Sequence, residues 1–244
     1  MKLSHAIMNR SPHGRLAVAL GPTAREKSVN LFSKLFGDSK VREGRKLLAE
    51  AQTTASMTYG PLGRLSMSIV CAADSAHKEL APILGISIQA EPSEERIYIF
   101  YEFLYFFSHL TLRSAIITGL TESQIKKLQG FLGPLLASTA IDSFFRHWPE
   151  DLKEKLIDEF YAKLNDAEIE YSECDEVMSE DHPFDSKTIF GKLANNVSIL
   201  HERPSDPEIM APAFVAAANA FTVMQLDRCI REVADVIDEL NPEV

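Results

Sequence analysis

The segment from Ile97 to Leu120 constrains the fold of this chain more than any other part of the sequence. It reads IYIFYEFLYFFSHLTLRSAIITGL and is apolar almost all the way round, with an aromatic group at Phe100, Phe103, Phe106 and Phe107. A helix that is hydrophobic on every side is normally a buried one. The sequence therefore predicts a core helix, which either the other helices of the chain or a second subunit must cover.

Three ionisable residues interrupt this segment, and all of them fall on one narrow side of the helix. Glu102 and His109 are separated by about 700°, close to two full turns, and Arg113 lies about 40° beyond His109. We call Glu102, His109 and Arg113 the polar strip. Because ionisable side chains are rare in so apolar a helix, the polar strip is where the sequence indicates chemistry.

The sequence leaves three interpretations of the polar strip open. It is the solvent-facing edge of a mostly buried helix, an interior polar network, or a catalytic or metal-binding site, and we favour the solvent-facing edge. Glu102 and His109 are about 10 Å apart along the axis, too far for both to hold one ion without help from their side-chain lengths. The metal ligands of di-iron bundles use a Glu-x-x-His motif, which this sequence lacks.

No other set of residues indicates a metal or a cofactor, and we predict neither. The remaining histidines are expected at helix ends, in loops or at helix margins. His77, three residues after Asp74, is expected to form a surface pair with it.

Glu168 is a fourth candidate for the same polar site. On its predicted helix it shares a flank with Tyr161 and Tyr171. A carboxylate with such neighbours is either paired in the interior, facing Arg113 or His109 across a helix interface, or placed at the border of the solvent-exposed side. We favour the border position, since a buried, unpaired carboxylate would have a raised pKa.

Helix signals recur along the chain, whereas strand signals hardly appear. Capping boxes, in which Ser or Thr precedes Glu or Gln by three residues, open predicted helices at Thr23, Thr121 and Ser205. Glycine and proline divide the pattern into about eight or nine helices, with a break at Gly130–Pro134 and one long C-terminal helix over Met210–Leu240. The sequence predicts an all-α fold, a multi-helix bundle or irregular α-array around the central apolar helix.

We expect one helical domain over residues 21–244, because no linker rich in Pro, Gly or Ser divides the chain. Residues 1–20 are predicted to be a flexible or loosely ordered lead-in, without an apolar run of signal-peptide length. A membrane span over the apolar helix is disfavoured, since each ionisable group of the polar strip would cost on the order of 3 kcal/mol at a bilayer centre.

Charge and cysteine content narrow the class of function. The net charge of −10 opposes binding to nucleic acid, whose affinity rests on Lys and Arg. The three cysteines are far apart and form no Cys-x-x-Cys motif, which argues against a disulfide framework or a zinc ribbon and favours a reducing cytoplasm.

The chain carries no nucleotide-binding, nucleophile-elbow, zinc-protease or calcium-loop motif. We therefore expect an acidic cytoplasmic protein that acts by binding or assembly, without catalytic activity. Its partner is a second copy or another protein, bound through aromatic helix faces. The alternative is a helical-bundle enzyme, or a protein that binds a small molecule or metal through the polar strip and Glu168.

Overall fold

A computed structural model describes residues 60–88, 93–144, 148–179 and 181–239, with the backbone alone at 142–144. In this part of the chain it contains seven helices and no strand, which confirms the predicted all-α class. The helices are α1 (60–80, as far as it is described), α2 (Glu94–Thr118), α3 (Glu122–Phe144), α4 (Glu150–Ser172), α5 (Ile189–Leu200), α6 (Pro207–Val223) and α7 (Leu226–Ala234).

Parts of the sequence prediction fall outside these residues. The predicted helices over 23–36 and 41–58 lie there, and so does the predicted lead-in over 1–20. Two further differences from the predicted helix boundaries, at Gly130–Pro134 and near the C-terminus, fall within the described residues and have physical causes.

The predicted break at Gly130–Pro134 is wrong, because α3 runs unbroken through this stretch. Proline cannot donate a hydrogen bond to the carbonyl four residues earlier, here that of Gly130. Both residues lie on the exposed side of α3, where water can satisfy that carbonyl. Gly133 serves packing instead of a turn: an added Cβ would lie 3.5 Å from side-chain atoms of Leu164 and Tyr161 on α4.

The predicted single C-terminal helix is also wrong, since α6 and α7 are separate and bent by 50°. Gln225 between them has a φ of +49°, in the left-handed region that ends regular helical hydrogen bonding. The flanking Met224 and Leu226 are both buried, so the bend directs two apolar side chains inwards. No glycine or proline marks this position in the sequence.

One of the predicted helix caps is present within the described residues, and one lies a residue away from its predicted position. Thr121 and Gln124 form the reciprocal capping box at the start of α3, with N–H to side-chain oxygen distances of 2.9 and 3.3 Å. At α6 the cap is Asp206, whose Oδ1 accepts the Glu208 N–H at 2.9 Å. Ser205, the predicted cap, instead has a φ of +60°.

The chain itself covers most of the aromatic side chains of α2. This helix packs against α3, α4, α5 and α7. Phe103, Phe106 and Phe107 have no exposed surface, and the ring of Phe106 meets that of Phe190 on α5 edge-to-face at 4.9 Å between centroids. These three rings are therefore buried from solvent without a second subunit.

α2 and α4 run parallel to one another. Their contacts advance together along both helices, from Tyr101 and Leu156 to Arg113 and Cys174. The contacts between α2 and α5 run in the opposite sense, so those two helices are antiparallel.

Among the described residues, no single helix is long and apolar enough to cross a membrane. The bent pair α6 and α7, taken together, meets the requirement of length and composition only.

The connection from α4 to α5 folds back onto the first turn of α5. Carbonyls of Glu176 and Val177 accept the N–H groups of Ile189 and Phe190 at 3.0 and 3.1 Å, and an isolated parallel bridge joins Glu176 to Thr188. Helix N-termini have N–H groups without intrahelical partners, and this connection satisfies two of them.

Candidate functional site

One edge of α2 carries a polar side chain at every turn, and each of them contacts α4 or the residues that follow it. A spacing of four residues keeps these side chains in one row: Tyr101, Tyr105, His109 and Arg113. The hydroxyl of Tyr101 donates to the carbonyl of Leu156 at 3.1 Å, and that of Tyr105 donates to the carbonyl of Phe160 at 3.3 Å. Both tyrosine rings also pack against the Phe160 ring. These two polar groups are therefore used in holding the helices together.

His109 pairs with Glu168 across this interface. His109 is buried, with 7% of its surface exposed, and its Nδ1 lies 3.0 Å from Oε2 of Glu168. The Glu168 side chain is 24% exposed, so it occupies the border of the exposed side and still reaches into the interior. The imidazole also stacks on the ring of Tyr171 at 5.7 Å between centroids.

Glu102 belongs to a second cluster, which joins α2 to both α4 and α5. Its Oε1 accepts hydrogen bonds from the Tyr171 hydroxyl at 2.5 Å and from the Asn196 side-chain amide at 2.9 Å. Burial raises the pKa of Glu102, while these two donors act in the opposite direction. Burial and the neighbouring Glu102 carboxylate raise the pKa of Tyr171 well above its ordinary value, so this hydroxyl stays a neutral donor.

Arg113 holds the end of α4 and contacts no carboxylate of the polar strip. It is buried, and its two terminal nitrogens donate to the carbonyls of Cys174 at 3.1 Å and Asp175 at 3.0 Å. Burial lowers the pKa of Arg113 from its ordinary value. Of the two partners predicted for Glu168, the structure brings His109 to it and not Arg113.

The solvent-facing interpretation of the polar strip is wrong. His109 and Arg113 are buried, Glu102 is half-buried, and each has a hydrogen-bond partner on α4, on α5 or just after α4. Two buried atoms of this group, Nε2 of His109 and Oε1 of Glu168, have no hydrogen-bond partner among the described residues. Nor do the described residues place three or more His, Cys, Asp or Glu side chains where they would hold a metal ion.

His77 has a different environment from the one predicted. It is only 4% exposed and meets the Phe100 ring edge-to-face at 6.0 Å, so the expected surface pair with Asp74 is wrong. Burial lowers the pKa of His77 to about 4. Its Nε2 and Oδ1 of Asp74 are buried without a hydrogen-bond partner in the described part of the chain. The residues next to His77 do not indicate this burial, because the ring that covers His77 comes from another helix.

The three cysteines are poor candidates for nucleophilic catalysis. None of the three forms a disulfide, and burial raises the pKa of Cys71 and of Cys174 to about 11 and raises that of Cys229 as well. The thiolate is the reactive form of cysteine, so these thiols are largely unreactive at neutral pH.

The sequence patterns did not indicate one exposed surface of α4, which runs from Tyr161 at the border with α3 to the side that faces away from α2. Five residues lie within about 80° of one another on this side, and we call them the outer face of α4: Asp151, Glu154, Asp158, Tyr161 and Ile169. All are exposed; Ile169 exposes 59% of its surface and Tyr161 37%. The signal in the sequence is Ile169, an apolar residue on the polar side of an amphipathic helix.

Comparison with known proteins finds no relative: no protein-family model, no curated protein and no solved structure matches the chain.

Proposed function

We propose that this protein is a binding or assembly module that recognises another protein and has no catalytic activity of its own. The observation that carries the proposal is the outer face of α4, where Tyr161 and Ile169 are exposed among carboxylates. Exposed aromatic and aliphatic side chains with polar residues around them are typical of protein interfaces. The rings of Phe103, Phe106 and Phe107 on α2 are buried within the chain, whereas the outer face of α4 offers an exposed apolar contact of the kind that such a module needs.

The chemistry of the polar strip supports the same proposal. Arg113 donates to two backbone carbonyls, and Oε1 of Glu102 accepts from Tyr171 and Asn196. A guanidinium and a carboxylate engaged in this way are occupied in joining helices. A substrate would have to displace those contacts, at the cost of leaving buried groups unpaired.

Site-specific photo-crosslinking tests this function in cells that express the full chain. A photoreactive phenylalanine derivative replaces Tyr161 in one variant and Gln129, exposed on α3, in a matched control. We expect a covalent adduct of one defined mass from position 161 and not from position 129. If neither position gives a discrete adduct, or if both give the same one, the outer face of α4 is not the recognition surface.

A second candidate function has one specific observation in its favour. Nε2 of His109 and Oε1 of Glu168 are buried without a partner among the described residues, and a small polar ligand or a metal would satisfy them. Elemental analysis and native mass spectrometry of the purified protein test this candidate, with His109→Ala as the control. A stoichiometric metal or small molecule that is lost in His109→Ala would favour this second function over the first.

We also propose that residues 21–244 form one helical domain of about eight or nine helices arranged around α2, and that the protein is located in the cytoplasm. The contacts of α2 with four other helices support the arrangement, and the absence of a disulfide among the three cysteines supports a reducing compartment.

A further inference from the structure

We propose that the outer face of α4 binds a cationic segment of a partner protein, one that carries basic side chains beside apolar ones. This inference rests on the function proposed above and specifies the chemistry of the partner. It follows from three features of α4: the concentration of negative charge, the lack of an ion pair at Asp151, Glu154 and Asp158 within the described residues, and the placement of its exposed apolar side chains.

The negative charge of the chain is concentrated in α4 and the connection after it. Residues 150–185 contain 14 Asp and Glu against 3 Lys, a net charge of −11, whereas the whole chain has 35 acidic and 25 basic residues. The remainder of the sequence therefore carries a net charge of +1. Such an uneven distribution creates a local negative potential that attracts a cationic partner and speeds its association.

Within the described residues, the carboxylates of the outer face of α4 have no ion pair. Asp151, Glu154 and Asp158 follow one another at spacings of three and four residues, where like charges repel on a helix. The lysines of α4 are engaged elsewhere: two pair with other carboxylates of α4, and the third lies over the ring of Tyr98. Cations from a partner would reduce the repulsion among these carboxylates.

The exposed apolar side chains give this face an anchor as well as a charge. Tyr161 and Ile169 lie about 12 Å apart along the same side of α4, C-terminal to the three carboxylates. A partner segment with basic residues at one end and apolar residues at the other matches this order. Tyr161 also suits a cation, because an aromatic ring attracts Lys and Arg.

Other occupants fit this surface less well. A second copy of the same face would bring like charges together, and nucleic acid would bring its phosphates against carboxylates. A metal ion is disfavoured because no group of three or more potential ligands in the described residues is placed to hold one.

The test is binding of a fluorescent peptide with lysines at one end and leucines at the other, measured by anisotropy with the full chain. The first variant is Asp151→Asn with Glu154→Gln and Asp158→Asn. Its matched control, Glu202→Gln with Asp235→Asn and Glu239→Gln, removes the same number of exposed carboxylates from other parts of the chain. We expect the first variant to weaken binding about tenfold and the control to change it much less.

A second variant, Ile169→Ser, tests the anchor without changing the charge. We expect it to weaken binding of the peptide and to leave the salt dependence unchanged, because no ion contact is lost. Equal affinity for the peptide in the wild type, the first variant and the charge-matched control would overturn the inference. So would displacement of the peptide by stoichiometric Ca²⁺ or Mg²⁺, which would make the face a cation site.

Self-association provides a further decisive outcome. Residues 1–50 contain 10 Lys and Arg against 4 Asp and Glu. If the wild type self-associates at low salt and the first variant does not, the cationic segment belongs to this chain and a separate partner is overturned. A crosslinked adduct from position 161 together with no charge-dependent peptide binding would leave the proposed function standing and remove only the cationic partner.

Discussion

The hydroxyl of Tyr171 donates a 2.5 Å hydrogen bond to Oε1 of Glu102, and the same tyrosine ring stacks on His109. One side chain of α4 thereby contacts two of the three ionisable residues of the polar strip. Since Asn196 on α5 donates to the same oxygen, Glu102 joins three helices through a single atom. This contact gives the polar strip a structural role that can be measured.

Replacing Glu102 by Gln should make stability less dependent on pH. Burial raises the pKa of Glu102 in the folded state above its ordinary value of 4.5, so the folded chain holds this proton more tightly than the unfolded chain. The Glu102 contribution to the free energy of unfolding therefore falls as pH rises from 4.5 through the raised pKa. The amide oxygen of Gln can still accept from both donors. The free energy of unfolding of the variant should therefore rise relative to that of the wild type over that range.

Urea unfolding at a series of pH values measures the effect. Tyr171→Phe is the companion variant: it removes a donor from a carboxylate and should lower stability at neutral pH. Parallel pH profiles for the wild type and Glu102→Gln would contradict the assignment of a raised pKa to Glu102.

His77→Leu should remove a loss of stability that the wild type shows at acidic pH. Burial lowers the pKa of His77 from 6.5 to about 4, so the unfolded chain takes up the proton first as pH falls. Wild-type stability should be unaffected by His77 above pH 6.5 and fall by on the order of 3 kcal/mol between pH 6.5 and 4. The measurement is the free energy of unfolding on either side of pH 6.5. If its dependence on pH below 6.5 is the same in His77→Leu as in the wild type, other groups control the loss of stability in acid.

Arg113→Ala should be among the most destabilising changes in α2. The variant leaves the buried carbonyl of Cys174 and the part-buried carbonyl of Asp175 without their donor, at a cost on the order of 3 kcal/mol. Arg113→Lys should recover only part of this loss, because one ammonium does not reproduce the fork of two nitrogens. Thermal unfolding measures both, with the exposed Arg231→Ala as a control expected to stay within about 0.5 kcal/mol.

Gly191 and Gly130 should respond in opposite directions to substitution by alanine. A Cβ at Gly191 would lie 2.2 Å from the backbone oxygen of Asp185, so the connection before α5 would have to move, at a cost on the order of 3 kcal/mol. At Gly130 nothing lies within 4 Å, and alanine should stabilise α3 by about 0.5–1 kcal/mol. Chemical denaturation of the two variants makes the comparison, and a stable Gly191→Ala would contradict the close approach.

The sequence predicted where the polar strip lies on its helix but not what surrounds it. Helical periodicity fixes the angular positions of Glu102, His109 and Arg113, because that depends only on 3.6 residues per turn. Whether the strip meets water depends on Tyr171 and Asn196, which come from helices about 70 and 95 residues further along. Periodicity within one helix contains no information about that packing.

Helix boundaries show the same division between local and distant causes. The cap at Thr121 is local and was predicted from two residues. The continuity of α3 through Pro134 and the bend at Gln225 depend on which sides of the helices are exposed and which are packed. Glycine and proline alone gave a break where none exists, and no residue type marked the bend that does.

The parallel course of α2 and α4 has an electrostatic consequence. Each helix has a macrodipole equivalent to about half a negative charge at its C-terminus, and parallel neighbours place these two ends side by side. Neither α2 nor α4 has a basic residue in its last turn. The buried guanidinium of Arg113 donates to the two carbonyls just past the C-terminus of α4. Its positive charge therefore offsets the negative end of α4 and favours a parallel alignment that the two dipoles by themselves oppose.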